Sequence, residues 1–203
     1  MKIINGIEQG SEEWLRLRLG KATASRFSSI LSNGVKGKPS KTRQSYLYEI
    51  VAEIITGSQQ ECFVSQAMDW GSNIEPLARQ FYSEKTGQSV EQVCFVEHNE
   101  HIGCSPDGLV STNGLVEFKC PKTSTQIERV LSGVFPSEYK PQVQGQLWIC
   151  QREWCDFVSY DPRIQTDAKY FCIRVERDEE YIKYLDEEVS RFIFEALEMV
   201  HKL

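Results

Sequence analysis

No stretch of this chain approaches the roughly 18 consecutive apolar residues that a membrane-spanning helix needs. The opening Met1-Lys2-Ile3-Ile4-Asn5-Gly6 lacks the apolar region of a secretory signal. No membrane partner is expected, and a cytoplasmic location is. Seven cysteines occur, at 62, 94, 104, 120, 150, 155 and 172, yet none forms a Cys-x-x-Cys pair and an odd number cannot all pair. That argues against a disulfide framework, a zinc ribbon or a four-thiolate iron–sulfur cluster, and leaves reduced, mostly buried thiols. Internal repeats and low-complexity segments are absent too.

With 203 residues, 40% hydrophobic and 26% charged, the composition suits one well-buried domain over 1–203. A net charge of −6 is awkward for a partner made of phosphate, but the charge is unevenly spread. Lys21 to Arg43 carries six basic residues and no acidic one, whereas Glu176 to Glu198 is strongly acidic. A basic approach surface and an acidic back face can coexist.

Ser11 is placed to cap a helix to about Leu19, stopped by Gly20. A short helix from Thr23 or Ser25 to about Leu31 follows, and 32–40 reads as a basic loop rather than a domain linker. Further helices are expected over 41–56, closed by Gly57, and over 72–86, closed by Gly87, with Pro76 tolerated in the first turn. Together the N-terminal helices take up 11–56. Strands are expected at 90–97, 102–104, 109–110 and 115–120, helices at 124–131 and 139–150, strands at 155–160 and 170–175. The helix over 72–86, these six strands and the two later helices make up a catalytic core of about 66–176, and a terminal amphipathic helix spans 178–202. The order implies an α/β domain with a mixed sheet flanked by helices.

The most informative stretch is Cys104-Ser105-Pro106-Asp107-Gly108, followed by Glu117-Phe118-Lys119. Asn113-Gly114 between them suggests a hairpin with a tight type I′ turn. Strand periodicity then puts Glu117 and Lys119 on one face and Phe118 in the core. Two carboxylates brought together repel unless a divalent cation neutralises them, and an all-oxygen set suits Mg²⁺ or Mn²⁺ rather than zinc. Each residue also has a plainer reading. Asp107 sits in a Pro-Asp-Gly turn, Lys119 could simply pair with Glu117, and Ser72-x-x-Glu75 fits a capping box.

Pro106-Asp107…Glu117-x-Lys119 resembles the PD-(D/E)xK nuclease signature. The wider pattern resembles phage lambda exonuclease and the viral-type alkaline exonucleases, the YqaJ-like recombinase nucleases of that superfamily. It includes Trp14 to Gly20, Thr23-Ala24-Ser25, Trp70-Gly71…Glu75, Gln142-Val143-Gln144 and Tyr160-Asp161-Pro162-Arg163. The resemblance implies a restriction-endonuclease-like core. It implies a Mg²⁺-dependent 5′→3′ exonuclease (Mn²⁺ substituting, two ions per site) that digests one strand of duplex DNA and leaves a 3′ overhang. Catalytic roles fall to Asp107, Glu117, Lys119 and Glu75. Asp107, Glu117, the Phe118 carbonyl and Glu75, the last directly or through water, become metal ligands.

By the same resemblance Arg18, Ser25, Ser105 and Gln142 hold the substrate's 5′-phosphate, while Gln144, two residues on, points elsewhere. Met68 is either a strand-separating wedge or a core methionine; Lys36, Lys38 and Lys41 either grip the duplex or are merely solvated. The family also implies a homotrimer threaded by double-stranded DNA ends, a single-strand annealing partner, and a phage or prophage gene acting in a bacterial cell. The rival readings are an endonuclease of the same superfamily and a nucleic-acid-binding protein that retains the fold without catalysis.

Overall fold

The computed structural model describes residues 1–34, 40–59 and 66–203, with side chains of the last span described from residue 69. Lys36 and Lys38 therefore lie outside the described residues, and of Met68 only the backbone is described. In chain order the strands are β1 (Lys2–Ile4), β2 (Ala22–Thr23), β3 (Val90–Glu91), β4 (Phe95–Asn99), β5 (Ile102–Cys104), β6 (Gly108–Val110), β7 (Gly114–Lys119), β8 (Trp154–Tyr160) and β9 (Tyr170–Glu176). They form two mixed sheets rather than one, in the orders β1-β4-β5-β2 and β3-β6-β7-β8-β9. The expected strand over 90–97 is accordingly split: β3 pairs with β6 and β4 with β1 and β5, and buried Val93 and Cys94 carry the chain between sheets.

Helix ends follow local chemistry. Ser11 accepts from the Trp14 N–H to start α1 (Glu12–Arg18), and a 3-10 turn over Ala24–Arg26 leads into α2 (Phe27–Ile30). Ser40 caps α3 (Lys41–Thr56), which Gly57 closes in the left-handed region. α4 (Gln66–Thr86) begins six residues before the expected Ser72. Pro76 thus sits in the helix interior and Ser72 is no cap, so the capping-box reading of Glu75 falls away. Burial of Ala78 and Tyr82 beneath the sheet outweighs the poor helix propensity of Gly71 and Pro76. α5 (Thr123–Ser132), α6 (Lys140–Cys150) and α7 (Glu179–Lys202, capped by Asp178) complete the set.

The hairpin also departs from expectation. β6 and β7 are joined by three residues, 111–113, and the positive φ (+50°) falls on Ser111 rather than on an Asn-Gly pair. Gly114 is a strand residue because Trp154 occupies the space a side chain would need: an added Cβ would lie 2.2 Å from the indole ring.

β7 and β8 run parallel from Gly114↔Trp154 to Lys119↔Ser159, and both faces of their sheet are covered. Leu115, Cys155 and Phe157 join α6 in the larger core, to which α3 and α7 also contribute; Val116, Phe118, Val158 and Tyr160 face α4. α6 is buried continuously from Val143 to Cys150. It approaches the 24–27 turn so closely that a Cβ on Gly145 would lie 2.6 Å from the Phe27 ring. Among the described residues no helix is long and apolar enough to cross a membrane.

Candidate active site

The functional side chains gather where β7 ends, at the carboxyl edge of the parallel β7–β8 pair. Asp107, just before β6, accepts the Phe118 N–H on Oδ2 at 2.7 Å. A strand residue presents its N–H and C=O to the same neighbour, so the Phe118 carbonyl faces the Asp107 side as well. Glu117 lies on the opposite face from Phe118 and is 1% exposed. Its Oε1 accepts from Lys119 Nζ at 2.5 Å and from Gln142 Nε2 at 2.6 Å; its Oε2 accepts from Gln146 Nε2 at 2.7 Å. Glu75 reaches the cluster from α4, held by Arg79 one turn on.

Electrostatics mark this as crowded negative charge in a dry place. Burial, then the Glu117 and Glu75 carboxylates, push Asp107 well above the usual carboxylate range. Glu75 is raised too, by burial and by Glu117, against the opposing pull of Arg79 and Lys119. Burial works to lower the Lys119 ammonium, but Glu117 and Asp107 outweigh it and hold the group above the ordinary lysine value. Lys119 stays a cation. The adjacent Cys120 thiol, pushed up to about 12 by burial and then by Glu75 and Asp107, stays protonated and is no thiolate ligand at neutral pH.

Asp107, Lys119 and Glu75 line a cavity of about 650 Å³, with Trp70, Lys122, Tyr139 and Arg163 among its other walls. Ser72 and Glu75 form a ridge shared with a larger cavity of about 1620 Å³ that contains Arg18, Thr23 and Ser25. There the Arg18 guanidinium stacks 4.2 Å over the Trp14 ring and donates to Ser105 Oγ (3.3 Å), Thr23 Oγ1 (3.2 Å) and Ser25 Oγ (3.4 Å). Trp14 Nε1 also donates to Ser105 Oγ at 2.9 Å. Among the described residues no carboxylate forms an ion pair with Arg18, and burial lowers its pKa below the usual arginine value against the weaker opposing pull of groups that include Glu53. A half-buried guanidinium ringed by hydroxyls has the donor chemistry that suits an anion. Only Pro106 separates Ser105 in this set from Asp107 in the other.

The structure thus brings Asp107, Glu117, Lys119 and Glu75 together, and separately Arg18, Ser25 and Ser105. Gln142 belongs to the first group, through Glu117, and not to the Arg18 set. Gln144 points away, donating to the Glu176 carbonyl and accepting the Asp178 N–H. Lys41, the first residue of α3, is exposed. Gln146 was missed from the sequence, and Trp14 and Thr23 entered only as part of the family pattern, with no role of their own. For Gln146 a signal existed: it lies one helical turn from Gln142, on the same face of α6.

Among the described residues no three His, Cys, Asp or Glu side chains converge to hold an ion unaided. Two carboxylates and a backbone carbonyl nevertheless fit Mg²⁺ or Mn²⁺, since Mg²⁺ usually takes one or two protein carboxylates and fills its shell with water and substrate phosphate. The raised carboxylates of Asp107 and Glu75 show the unrelieved charge that such a cation would neutralise.

Comparison with known proteins follows the same line. The YqaJ-like viral recombinase domain matches residues 13–153. An alkaline exonuclease, LHK-Exo, from Laribacter hongkongensis is 40% identical, with 95% of each chain covered and a TM-score of 0.87; its complex with dAMP gives 0.88. A phage-related exonuclease from Haemophilus somnus 129PT is 18% identical over 90% of this chain and 96% of its own, at a TM-score of 0.69, a likeness of fold alone. Protein R354 of Acanthamoeba polyphaga mimivirus is 29% identical over 175 residues. That match takes in 78% of this chain, which spans 30% of the viral protein's length. The two helix-flanked mixed sheets are the PD-(D/E)xK-like fold of the alkaline exonuclease, and this chain belongs to the YqaJ-like viral recombinase family.

Proposed function

We propose that this chain is a metal-dependent exonuclease that removes nucleotides from the 5′ end of one strand of duplex DNA, leaving a 3′ single-stranded tail for recombination by strand annealing. The observation that carries this reading is the pairing of two sites across Glu75 and Ser72: a buried acid–lysine cluster, and an anion pocket built on Arg18. A phosphate held by Arg18, Ser25, Ser105 and Thr23 would put the next linkage of the strand beside Asp107 and Lys119. Likeness to the Laribacter alkaline exonuclease, 40% identical along 95% of both chains, supports the same chemistry.

Mg²⁺, two ions in the expected arrangement, would supply Lewis-acid stabilisation of the charge that builds on the phosphate oxygens. Asp107, Glu117 and the Phe118 carbonyl would hold it, with Glu75 adding a carboxylate directly or through water. The chain's own residues do the rest. Lys119, kept cationic between Glu117 and Asp107, orients the attacking water and stabilises negative charge on the phosphate; its raised pKa suits an electrostatic role rather than that of a base. Gln142 and Gln146 fix both oxygens of Glu117, so the carboxylate cannot swing toward solvent. Arg18 forks onto the terminal phosphate and confines attack to a chain end. A homotrimeric ring and a single-strand annealing partner complete the proposal by family likeness.

The test is digestion of end-labelled linear duplex, with and without Mg²⁺, beside a covalently closed circle. The expected result is 5′→3′ loss of label that needs Mg²⁺, with the circle intact. A cut circle would replace this reading with an endonuclease, and Mg²⁺-independent activity would remove the metal from it.

A further inference from the structure

The part of the 650 Å³ cavity lined by Trp70, Lys122 and Arg163, residues that do not line the Arg18 cavity, has a structure of its own that the chemistry described above does not use. Arg163 stands there. Its Nε donates to Asp161 Oδ1 at 2.7 Å, and its Nη2 to Asp161 Oδ2 at 3.0 Å and to the Pro121 carbonyl at 3.1 Å. Asp161 is 0% exposed, and it also accepts the Arg163 N–H at 3.0 Å and the Thr123 hydroxyl at 2.6 Å. The guanidinium carbon lies 4.2 Å over the Trp70 ring. One edge of Arg163 is therefore fixed by a buried carboxylate and one face by an indole. Nη1 has no hydrogen-bond partner among the described residues, and nearly half of the side chain is exposed.

Three further observations give this part of the cavity the same character. Lys122, also on the cavity wall, is exposed and has no ion-pair partner among the described residues. The first turn of α5, which Lys122 opens, carries no acidic side chain and no side-chain cap. Trp70 Nε1 is a buried donor with no acceptor among the described residues. A guanidinium immobilised before any ligand arrives loses little entropy on binding, which is how arginine is used against phosphate. Buried Asp161 balances the charge at rest while leaving the free edge directed outward.

We infer that Arg163, with Lys122 beside it, forms a second phosphate subsite that holds the cleaved strand on the 3′ side of the scissile linkage. The inference rests on the proposed reading in placing the 5′ end at Arg18. The strand would then be held on both sides of the acids: its terminal phosphate at Arg18, and a phosphate of the strand still to be digested at Arg163. Fixing both flanks limits where the linkage between them can lie, and the downstream contact survives release of each nucleotide.

The test uses 5′-phosphorylated duplexes in which one neutral methylphosphonate replaces the first, second or third linkage 3′ of the scissile one. Single-turnover release of the terminal nucleotide is measured with Mg²⁺, and binding is measured with Ca²⁺ in its place. At one of these positions the wild type should lose about tenfold or more in both, the scale of a lost charge-assisted hydrogen bond. Arg163→Gln should lose a similar factor on the all-phosphate duplex and lose no more when that same linkage is neutral. Independent, multiplying losses at every position, or a wild type indifferent to all three phosphonates, would overturn the subsite.

Arg163→Gln leaves Asp161 buried without its partner. If that variant does not fold, the double variant Asp161→Asn/Arg163→Gln takes its place, and the wild-type phosphonate series needs no variant at all. Absent nucleotide release with the binding coupling intact would sink the exonuclease reading alone; normal release with no coupling would sink only the subsite.

Discussion

Gln146 donates its amide hydrogen to Oε2 of Glu117 at 2.7 Å from a side chain that is 1% exposed, while its own Oε1 finds no donor among the described residues. An unsatisfied buried carbonyl costs about 1–3 kcal/mol. The fold retains it here because the other end of the amide holds the carboxylate on which the site is built. Gln146→Met keeps the volume and removes the hydrogen bond. Its kcat on linear duplex should fall about tenfold to a hundredfold, the range for losing a hydrogen bond to a charged group, with KM little changed. Equal kcat in the variant and the wild type would reduce Gln146 to packing.

Lys119→Ala should be far more damaging. Removing the ammonium takes away the cation that, among the described residues, contacts Glu117, and with it the charge proposed to face the phosphate. Loss of a preorganised electrostatic donor commonly costs about a hundredfold to a thousandfold in kcat. Binding to duplex DNA, measured by fluorescence anisotropy with Ca²⁺, should stay within a few-fold of wild type, because the contacts at Arg18 are untouched. A variant that binds poorly and also turns over slowly would assign Lys119 to grip rather than to chemistry.

Much of this could be read from the sequence, and the failures have identifiable causes. Helix ends marked by Ser11, Gly57 and Gly87 were legible because capping is local chemistry. Glu117 and Lys119 were legible because strand side chains alternate. The start of α4 was not: Gly71 and Pro76 read locally as a boundary, and only burial of Ala78 and Tyr82 against the sheet, a long-range effect, carries the helix through them. Gly114 read as a turn glycine, whereas its reason is Trp154, which reaches it through the parallel partner strand. The roles of Gln146 and Arg163 depend on Glu117 and Trp70, partners distant in sequence, so the helical spacing from Gln142 and the Tyr160-Asp161-Pro162-Arg163 pattern pointed at these residues without telling what they hold.

Arg18→Ala should erase a preference for phosphorylated ends. In the wild type a 5′-phosphorylated duplex is expected to be digested about tenfold to a hundredfold faster than its 5′-hydroxyl counterpart, the range for charge-assisted hydrogen bonds to phosphate. In the variant the two rates should converge, because the hydroxyls of Thr23, Ser25 and Ser105 cannot replace the charge. Parallel time courses on the two substrates decide it. A preference that survives in Arg18→Ala would place the terminal phosphate elsewhere.

Asp107 ties stability to pH and to metal in a direction that can be worked out. Burial and the neighbouring carboxylates raise its folded-state pKa above the unfolded value, so the folded protein binds that proton more tightly. The resulting stability is fully present below the ordinary carboxylate range and is lost as pH rises through the raised folded-state value. Without metal, the wild type should therefore lose stability relative to Asp107→Asn as pH rises from about 4 toward 8. The asparagine can still accept the Phe118 N–H but carries no charge. Thermal unfolding in chelator should show Asp107→Asn with the higher Tm at pH 8, and the gap closing toward pH 4. Adding Mg²⁺ or Mn²⁺ at pH 8 should raise the wild-type Tm and leave the variant nearly unmoved, since a ligand that binds only the folded state stabilises it in proportion to its affinity. A wild type more stable than Asp107→Asn in chelator at pH 8 would mean that the carboxylate is already neutralised within the protein, leaving a cation nothing to relieve.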